Sequence, residues 1–375
     1  MTSLPYALLF CVFLCTAFLE HSLVSQNRVL AIRIIVVVVA LVFFGLRGHV
    51  LTDFTNYYQF FHKLDSSQLG AGNSVYGPGF VLSAYLSKLV FDNYHFWIFI
   101  SSSIHVLILS AVFKRYLGSI SLGLIFFLGY RGILIEFNLL QNFVAILLFF
   151  LSIPYLYRRR LLPYLFLNVI GMTFHVSSIL YLPLYFLLHR NTNMQLGLMV
   201  IGVANLFYFI GSDLLIKIAH WVVSNSGYAS LEGFLYFFVD TSDYQLSFGF
   251  LERTLIIVLM TVYCEKIKSE ILYGAVFYNL ALLYYFCFLL LSPVDVLADR
   301  IPMLFLLSYW VVIPALIILK HRFRAVIACG LITLSFMKLV LSTQDQVAEY
   351  DNLLFGIRSY DERLAEVLQH NEANK

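Results

Sequence analysis

The chain has 375 residues, of which 61% are hydrophobic and only 12% charged, with a formal net charge of +3. Soluble domains carry about a quarter charged residues, so this composition excludes an ordinary water-soluble enzyme, and no basic stripe suggests a nucleic-acid partner. Apolar runs of about 20 residues recur along the whole length and are continuous rather than alternating, which implies an all-α, polytopic integral membrane protein and not a β-barrel.

In chain order, the runs that read as spans are 4–19, 29–46, 95–113, 118–130, 139–157, 161–174, 176–189, 194–211, 249–263, 272–291, 301–319 and 324–341. At bilayer length these make about twelve transmembrane helices. The run 77–91 is shorter and opens with Gly77-Pro78-Gly79. It reads as a re-entrant or interfacial helix held by its neighbours. The N-terminal run lacks a basic flank and a small-residue cleavage site, so it reads as a retained span. Residues 213–224 form an amphipathic pattern, with Leu214, Leu215, Ile218, Trp221 and Val222 opposite Asp213, Lys217, His220 and Ser224. Such a helix lies in the headgroup layer. Residues 1–341 form a single membrane domain, and 342–375 a polar tail. In the tail, 361–368 reads as a solvated terminal helix with Leu364, Val367 and Leu368 on one side. Cys11, Cys15, Cys264, Cys287 and Cys329 all sit in apolar runs, with neither zinc spacing nor a disulfide framework.

Orientation follows from lysine and arginine in short loops. The basic groups are Arg28 with Arg33; Lys114-Arg115; Arg158-Arg159-Arg160; Arg190; Lys266 with Lys268; and Lys320, Arg322 and Arg324. Placing all of them in the cytoplasm gives a consistent alternation if 77–91 does not cross. Both termini and the loops 47–76, 131–138, 212–248 and 292–300 then face outward; the competing solution makes 77–91 a full span and puts the Arg47 loop in the cytoplasm.

Ionisable groups at membrane depth are costly and usually face the interior or a wet cavity. Several gather at the outer ends of spans: Arg47 and Asp53; Arg131, Glu136, Asn138, Gln141 and Asn142; His175; Glu252 and Arg253; and Asp295, Asp299 and Arg300. Each also has a packing reading. Arg47 could anchor a helix end. Asp53 could cap the helix that begins near Phe54. His175 could be a hinge histidine, Glu252 and Arg253 could pair, and Asp299-Arg300 could be a turn pair. His105 reads as packed and hydrogen-bonded, and Lys88 as a snorkelling side chain. Arginines bind phosphate oxygens in two-point fashion, while rings and carboxylates suit sugars. A lipid tail suits the apolar flank. A polyprenyl-pyrophosphate-linked saccharide has all three parts.

The pattern Gly45-Leu46-Arg47, Asp53, Tyr57-Tyr58 and Gly77-Pro78-Gly79-Phe80 resembles the EpsG family of exopolysaccharide polymerases and the related Wzy O-antigen polymerases. Phe174-His175-Val176-Ser177-Ser178 resembles the family's Phe-His-x-Ser-Ala segment, and Arg300 its late arginine. Before Ala145 the chain departs, with Gln141-Asn142 where the family often has Arg-Gln. The resemblance covers roughly 40–310. It implies polymerisation of undecaprenyl-pyrophosphate-linked oligosaccharide repeat units at the outer face of the bacterial inner membrane. It also implies membrane lipid and a chain-length regulator as further partners.

On this reading Arg47 and Arg300 neutralise the departing pyrophosphate. His175 or Asp53 takes the proton of the acceptor hydroxyl, a choice the residues leave open. Tyr57, Tyr58, Arg131, Glu136, Gln141, Asn142, Arg253 and Asp299 are the expected substrate contacts. No DxD pair or compact acidic set suggests a metal, and no cofactor is expected. Three other classes share parts of the pattern. A lipid-linked oligosaccharide flippase would carry charge in a central cavity open to both sides, an O-antigen ligase a larger outer loop, and a membrane-bound acyltransferase a catalytic histidine deep in the bundle.

Overall fold

The computed structural model describes residues 2–66, 76–210, 217, 221, 247–292 and 294–373. In chain order the helices are α1 Leu4–Ser22, α2 Gln26–Ala40, α3 Phe54–Lys63, α4 Pro78–Val90, α5 Tyr94–Leu117, α6 Ile120–Gly129, α7 Gly132–Asn138, α8 Leu140–Tyr157 and α9 Leu161–Phe174. There follow α10 Leu184–Leu187, α11 Met194–Ile210, α12 Phe248–Val262, α13 Cys264–Glu270, α14 Gly274–Leu291, α15 Asp295–Arg300, α16 Tyr309–Ile318, α17 Arg324–Ser342 and α18 Tyr360–Ala373. A π-helical turn, Leu41–Gly45, continues α2, and 3-10 turns cover Val176–Tyr181, Pro302–Ser308 and Gln346–Ala348. No strand occurs among the described residues. The amphipathic pattern at 213–224 falls almost wholly outside them.

Seven segments of the described chain are long and apolar enough to cross a bilayer: Leu4–Ser22, Gln26–Gly45, Tyr94–Leu117, Leu140–Tyr157, Gly274–Leu291, Leu297–Ile318 and Arg324–Ser342. An eighth results if α6 and α7, bent by 80° at their junction, count as one broken span. Of about twelve expected spans, seven or eight are therefore supported among the described residues. Hydropathy counts apolar residues, but crossing depends on rise. The 14 residues of α9 rise only about 21 Å, short of a hydrocarbon core of about 30 Å. The run 176–189 breaks into a 3-10 turn and the single turn α10. α6 is apolar because protein surrounds it, for nine of its ten residues are buried. The 13 residues of α4 are likewise too short to cross at about 1.5 Å each.

The chain divides into two compact units, Met1–Tyr185 with His321–Lys375, and Phe186–Lys320. In the first, α6 packs against α1, α5 and α17, and α8 pairs with α9. Gly118, at φ 72°, ends α5, and the Ser119 hydroxyl at once caps α6 by accepting from Leu122 N at 3.2 Å. Arg33 donates to the Gly118 carbonyl and lies 3.6 Å from Glu20, so the basic segments near 28–33 and 114–115 share one end of this unit. Lys88 does more than snorkel. Its ammonium donates to the carbonyls of Phe61, His62 and Leu64 at 3.0–3.2 Å and so closes the C-terminus of α3.

In the second unit α14 packs with α11 and α12. Hydroxyls and amides join them: Asn205 Nδ2 donates to Tyr285 Oη at 2.9 Å and Tyr278 Oη to Thr261 Oγ1 at 3.1 Å. Asn279 Nδ2 donates to the carbonyls of Leu188 and Arg190. Lys268 reaches Asn191 at 2.8 Å and Lys266 the Lys320 carbonyl at 2.7 Å. The basic segments around 190, 266–268 and 320 therefore meet at one end of this unit, as a common membrane side requires.

Candidate functional site

The Arg47 side chain turns inward. It is 4% exposed, and its NH1 donates to the Phe44 carbonyl at 2.5 Å and to Ser102 Oγ at 2.7 Å. NH2 donates to the Glu136 carbonyl at 3.2 Å, and NH1 lies 3.5 Å from Glu136 Oε1. The guanidinium also sits over Phe137, 4.5 Å from the ring centroid. Glu136, only 1% exposed, accepts from Ser102 Oγ at 2.6 Å and pairs with His105 Nδ1 at 2.9 Å. Ser102 and His105 lie three residues apart on α5 and so share a face. A buried charge survives only when paired and hydrogen-bonded, and this network does both. His105 is packed and hydrogen-bonded, as its sequence position suggested.

The loop that carries Arg47 exists because α2 does not end cleanly. The π-helical turn Leu41–Gly45 ends it, and side chains reach the carbonyls of Val42, Phe43 and Phe44. All three find partners: Asn352 Nδ2 at 3.0 Å, Tyr350 Oη at 2.8 Å and Arg47 itself. Tyr350 also stacks on Phe43 with centroids 4.2 Å apart. The tail thus returns to the opening loop. Arg47 forms an antiparallel bridge with Asn352, and Gly48 N donates to the Asp351 carbonyl at 3.1 Å. The expectation of a solvated terminal helix is corrected. Arg363 is 0% exposed and Val367 4%, while Leu368 points outward at 54%. A hydrophobicity count missed this face because its central residue is an arginine.

At the other end of the loop, Asn138 holds the backbone. Its Oδ1 accepts from the N–H groups of Thr52 and Asp53, both at 3.3 Å, and its Nδ2 donates to Thr52 Oγ1 at 3.0 Å. The Asn138 carbonyl accepts from Tyr57 Oη at 2.6 Å. Asp53 occupies the N-cap position of α3, yet its carboxylate makes no capping hydrogen bond. Replacing Asn138 with Ala leaves two backbone donors without this acceptor. Stability should fall by about 1–3 kcal/mol, read as a lower melting temperature in detergent.

Tyr57 is buried against Tyr76, Phe80 and Trp97. Tyr58 stacks on Tyr360 with centroids 4.3 Å apart. Gln141 Oε1 accepts from Gly77 N at 3.3 Å, which ties α8 to the Gly77-Pro78-Gly79 turn; Asn142 follows, half-buried. That turn lies on the end of α9, where a Cβ on Gly77 would fall 2.4 Å from the Thr173 carbonyl oxygen. Only glycine allows this approach, and it brings the turn beside His175. The His175 ring caps the following 3-10 turn: Nδ1 accepts from Ser177 N at 3.2 Å and lies 2.6 Å from Ser177 Oγ. With Nδ1 accepting, the neutral ring carries its proton on Nε2 and offers a donor there.

Arg131 sits at the break between α6 and α7, half-buried and at φ 60°. Beside it, the Lys338 ammonium lies over the Tyr130 ring, 4.7 Å from the centroid. Lys338 went unnoticed in the sequence, although a lone cation inside the run 324–341 is the kind of signal that marks a site. His49 is the imidazole of the Arg47–Tyr58 stretch, to which the sequence assigned no role. It is 2% exposed among Phe54, Tyr58, Tyr94, His95 and Tyr360, with centroids 5.0–5.8 Å away. Burial pushes its imidazole down to about 4, and the His95 ring and the Arg363 charge add to the shift, so it is uncharged at neutral pH.

The remaining expected contacts belong to the second unit. Arg253 donates from Nε to Tyr284 Oη at 3.0 Å and from NH1 to the Gly249 carbonyl at 2.9 Å, with its guanidinium 3.9 Å from the Phe288 centroid. Glu252 beside it is buried, and Asp299 and Arg300 are exposed on α15. In the first unit, by contrast, Gln141 bonds Gly77 and Tyr57 packs on Tyr76 and Phe80, so the turn at 77–79 joins both to the segment leading into His175.

No curated protein and no solved structure matches the chain. The EpsG family model matches residues 30–352, from within α2 to Asn352, the residue that bridges Arg47. The chain is therefore a multi-pass membrane protein that belongs to the EpsG family.

Proposed function

We propose that the protein is a polysaccharide polymerase, a glycosyltransferase that joins undecaprenyl-pyrophosphate-linked repeat units. One observation carries the reading. Motif residues far apart in sequence are linked stepwise in the first unit: Arg47 pairs with Glu136, Asn138 two residues on holds Asp53 N and Tyr57, and Gln141 accepts from Gly77, whose turn lies on Thr173 and Phe174. In the reaction, the acceptor hydroxyl oxygen bonds to the anomeric carbon of the donor sugar. The bond from that carbon to the pyrophosphate oxygen breaks, and the hydroxyl proton passes to a base.

Asp53 is the base in this reading. It stands at the head of α3, where Asn138 fixes its backbone N–H. His175 then acts as a donor through Nε2, because Nδ1 is occupied by Ser177. Arg47 is enclosed, so its part is to hold the loop, and Arg131 at the helix break attracts the pyrophosphate charge. The resemblance gives Arg300 a leaving-group role, for which Arg300→Ala is the separate test. The reaction proceeds without a metal and on the outer face of the inner membrane, with the short helices completing broken crossings.

Asp53→Asn should lower polymer formation by at least about a hundredfold with the protein still present in the membrane, since general-base removal costs 10²–10⁴ in rate. Deleting the gene and running surface polysaccharide on a gel tests the class. A single repeat unit supports the polymerase reading. Complete loss of surface repeat units would instead indicate a flippase, and lipid-linked polymer without its acceptor a ligase.

A further inference from the structure

We infer that the C-terminal segment is a working part of the site, with Arg363 as a positioning residue that holds the Arg47–Asp53 loop. This rests on the polymerase reading for its consequence, but not for its geometry. Arg363 is fully buried although it lies on a terminal helix. Its Nε donates to the His49 carbonyl at 2.6 Å, in the middle of the loop. Its NH2 donates to the carbonyls of Val347 and Glu349 at 3.0 and 3.1 Å, and NH1 pairs with Glu366. One guanidinium therefore fastens the loop to two points of the tail at once. A planar fork with five donors suits this, and a lysine ammonium, a single point, does not.

The tail residues that Arg363 holds touch the loop directly. Leu51 N donates to the Val347 carbonyl at 2.8 Å, and Leu353 N to the Leu46 carbonyl at 2.8 Å. Val367 completes the seat by packing with Val347 against Phe54, the residue after Asp53. Leu51 itself sits at φ 65°, a conformation that a leucine keeps only when its surroundings impose it. The loop thus has its two ends fixed by Glu136 and Asn138 and its middle fixed by the tail. Without Arg363 the middle is released, and Arg47 and Asp53 lose their relative placement although neither is altered.

The test uses full-length protein in membranes, with Leu51→Cys as a reporter of loop exposure. Charged maleimide should label the introduced thiol about tenfold faster when Arg363→Met is added, the factor expected from losing one well-made charged hydrogen-bond set. Arg363→Lys should fall between the two. Arg358→Met should label at the parent rate, because Arg358 pairs with Glu349, Asp351 and Glu366 of the tail and not with the loop. Polymer formation should fall about tenfold in Arg363→Met. A disulfide between Leu51→Cys and Val347→Cys should restore it in that background and lose the gain on reduction. That rescue separates positioning from a general loss of folding. Labelling at the parent rate in Arg363→Met, or a cross-linked form as inactive as the reduced one, overturns the inference. If the wild type makes no polymer, the labelling rates still decide the geometry, so failure of the polymerase reading is distinguishable.

Discussion

Glu136→Ala should be the most damaging single change in the first unit. It leaves Arg47 charged and 4% exposed, with its carboxylate partner gone. Stranding a buried charge costs about 3–5 kcal/mol, comparable to the net stability of many domains. The same change removes the acceptor of Ser102 Oγ and the partner of His105. Little folded protein should survive extraction in detergent, and what survives should melt well below the parent. Arg47→Met should fail for the reciprocal reason, with Glu136 left uncompensated. The double variant Arg47→Met with Glu136→Leu should recover much of the stability, because removing both charges abolishes the desolvation cost. Recovery of stability without recovery of polymer would assign the pair to holding the loop for chemistry. A double variant no better than the worse single would show that the two charges do not depend on each other.

Gly77→Ala should be nearly as damaging, for a steric reason. The new Cβ would lie 2.4 Å from the Thr173 carbonyl oxygen and 2.5 Å from that of Phe174, both backbone atoms. Neither can rotate away, so the turn and the end of α9 must separate. Forced overpacking of this kind costs about 1–3 kcal/mol. Separation also moves the segment that leads into His175, so polymer formation should fall further than stability alone explains. Gly79→Ala should be milder. Its nearest neighbour is the Thr173 hydroxyl at 2.4 Å, which a rotamer change can move. Gly330, with nothing within 4 Å, is the internal control. Replacing it with Ala should leave the melting temperature unchanged or raise it, since glycine costs a helix about 0.5–1 kcal/mol. The three melting temperatures, measured side by side, check the order.

The motif residues were legible because each is odd for its place. A cation, an acid and paired tyrosines interrupt an apolar chain at 47–58, and Gly-Pro-Gly cannot continue a helix at 77–79. The structure joins these pieces as one patch in the first unit. The direction of Arg47 was not legible. Its partner Glu136 is 89 residues away, and nothing in either local sequence names the other. The tail was misread for a different reason. Its docking depends on Arg363, Asn352 and backbone carbonyls, and polar groups that satisfy one another inside a fold look, in sequence, like a solvated surface. Not every apolar run is a full-length span, because composition registers burial in protein and burial in lipid alike. α6 is apolar for the first reason, and its ten residues cannot cross alone. The Ser177 N–H on Nδ1 of His175 was not legible either, because only the folded backbone brings it there.

The central claim is that this chain forms glycosidic bonds between lipid-linked repeat units. The direct measurement uses purified protein in lipid vesicles, lipid-linked repeat units as the sole substrate, and a chelator throughout. A polymerase gives a ladder of lipid-linked oligomers rising by single repeats, one undecaprenyl pyrophosphate released per bond, and no ladder from Asp53→Asn. Repeat units that cross the bilayer without a new bond, or a wild-type ladder from Asp53→Asn, would contradict it.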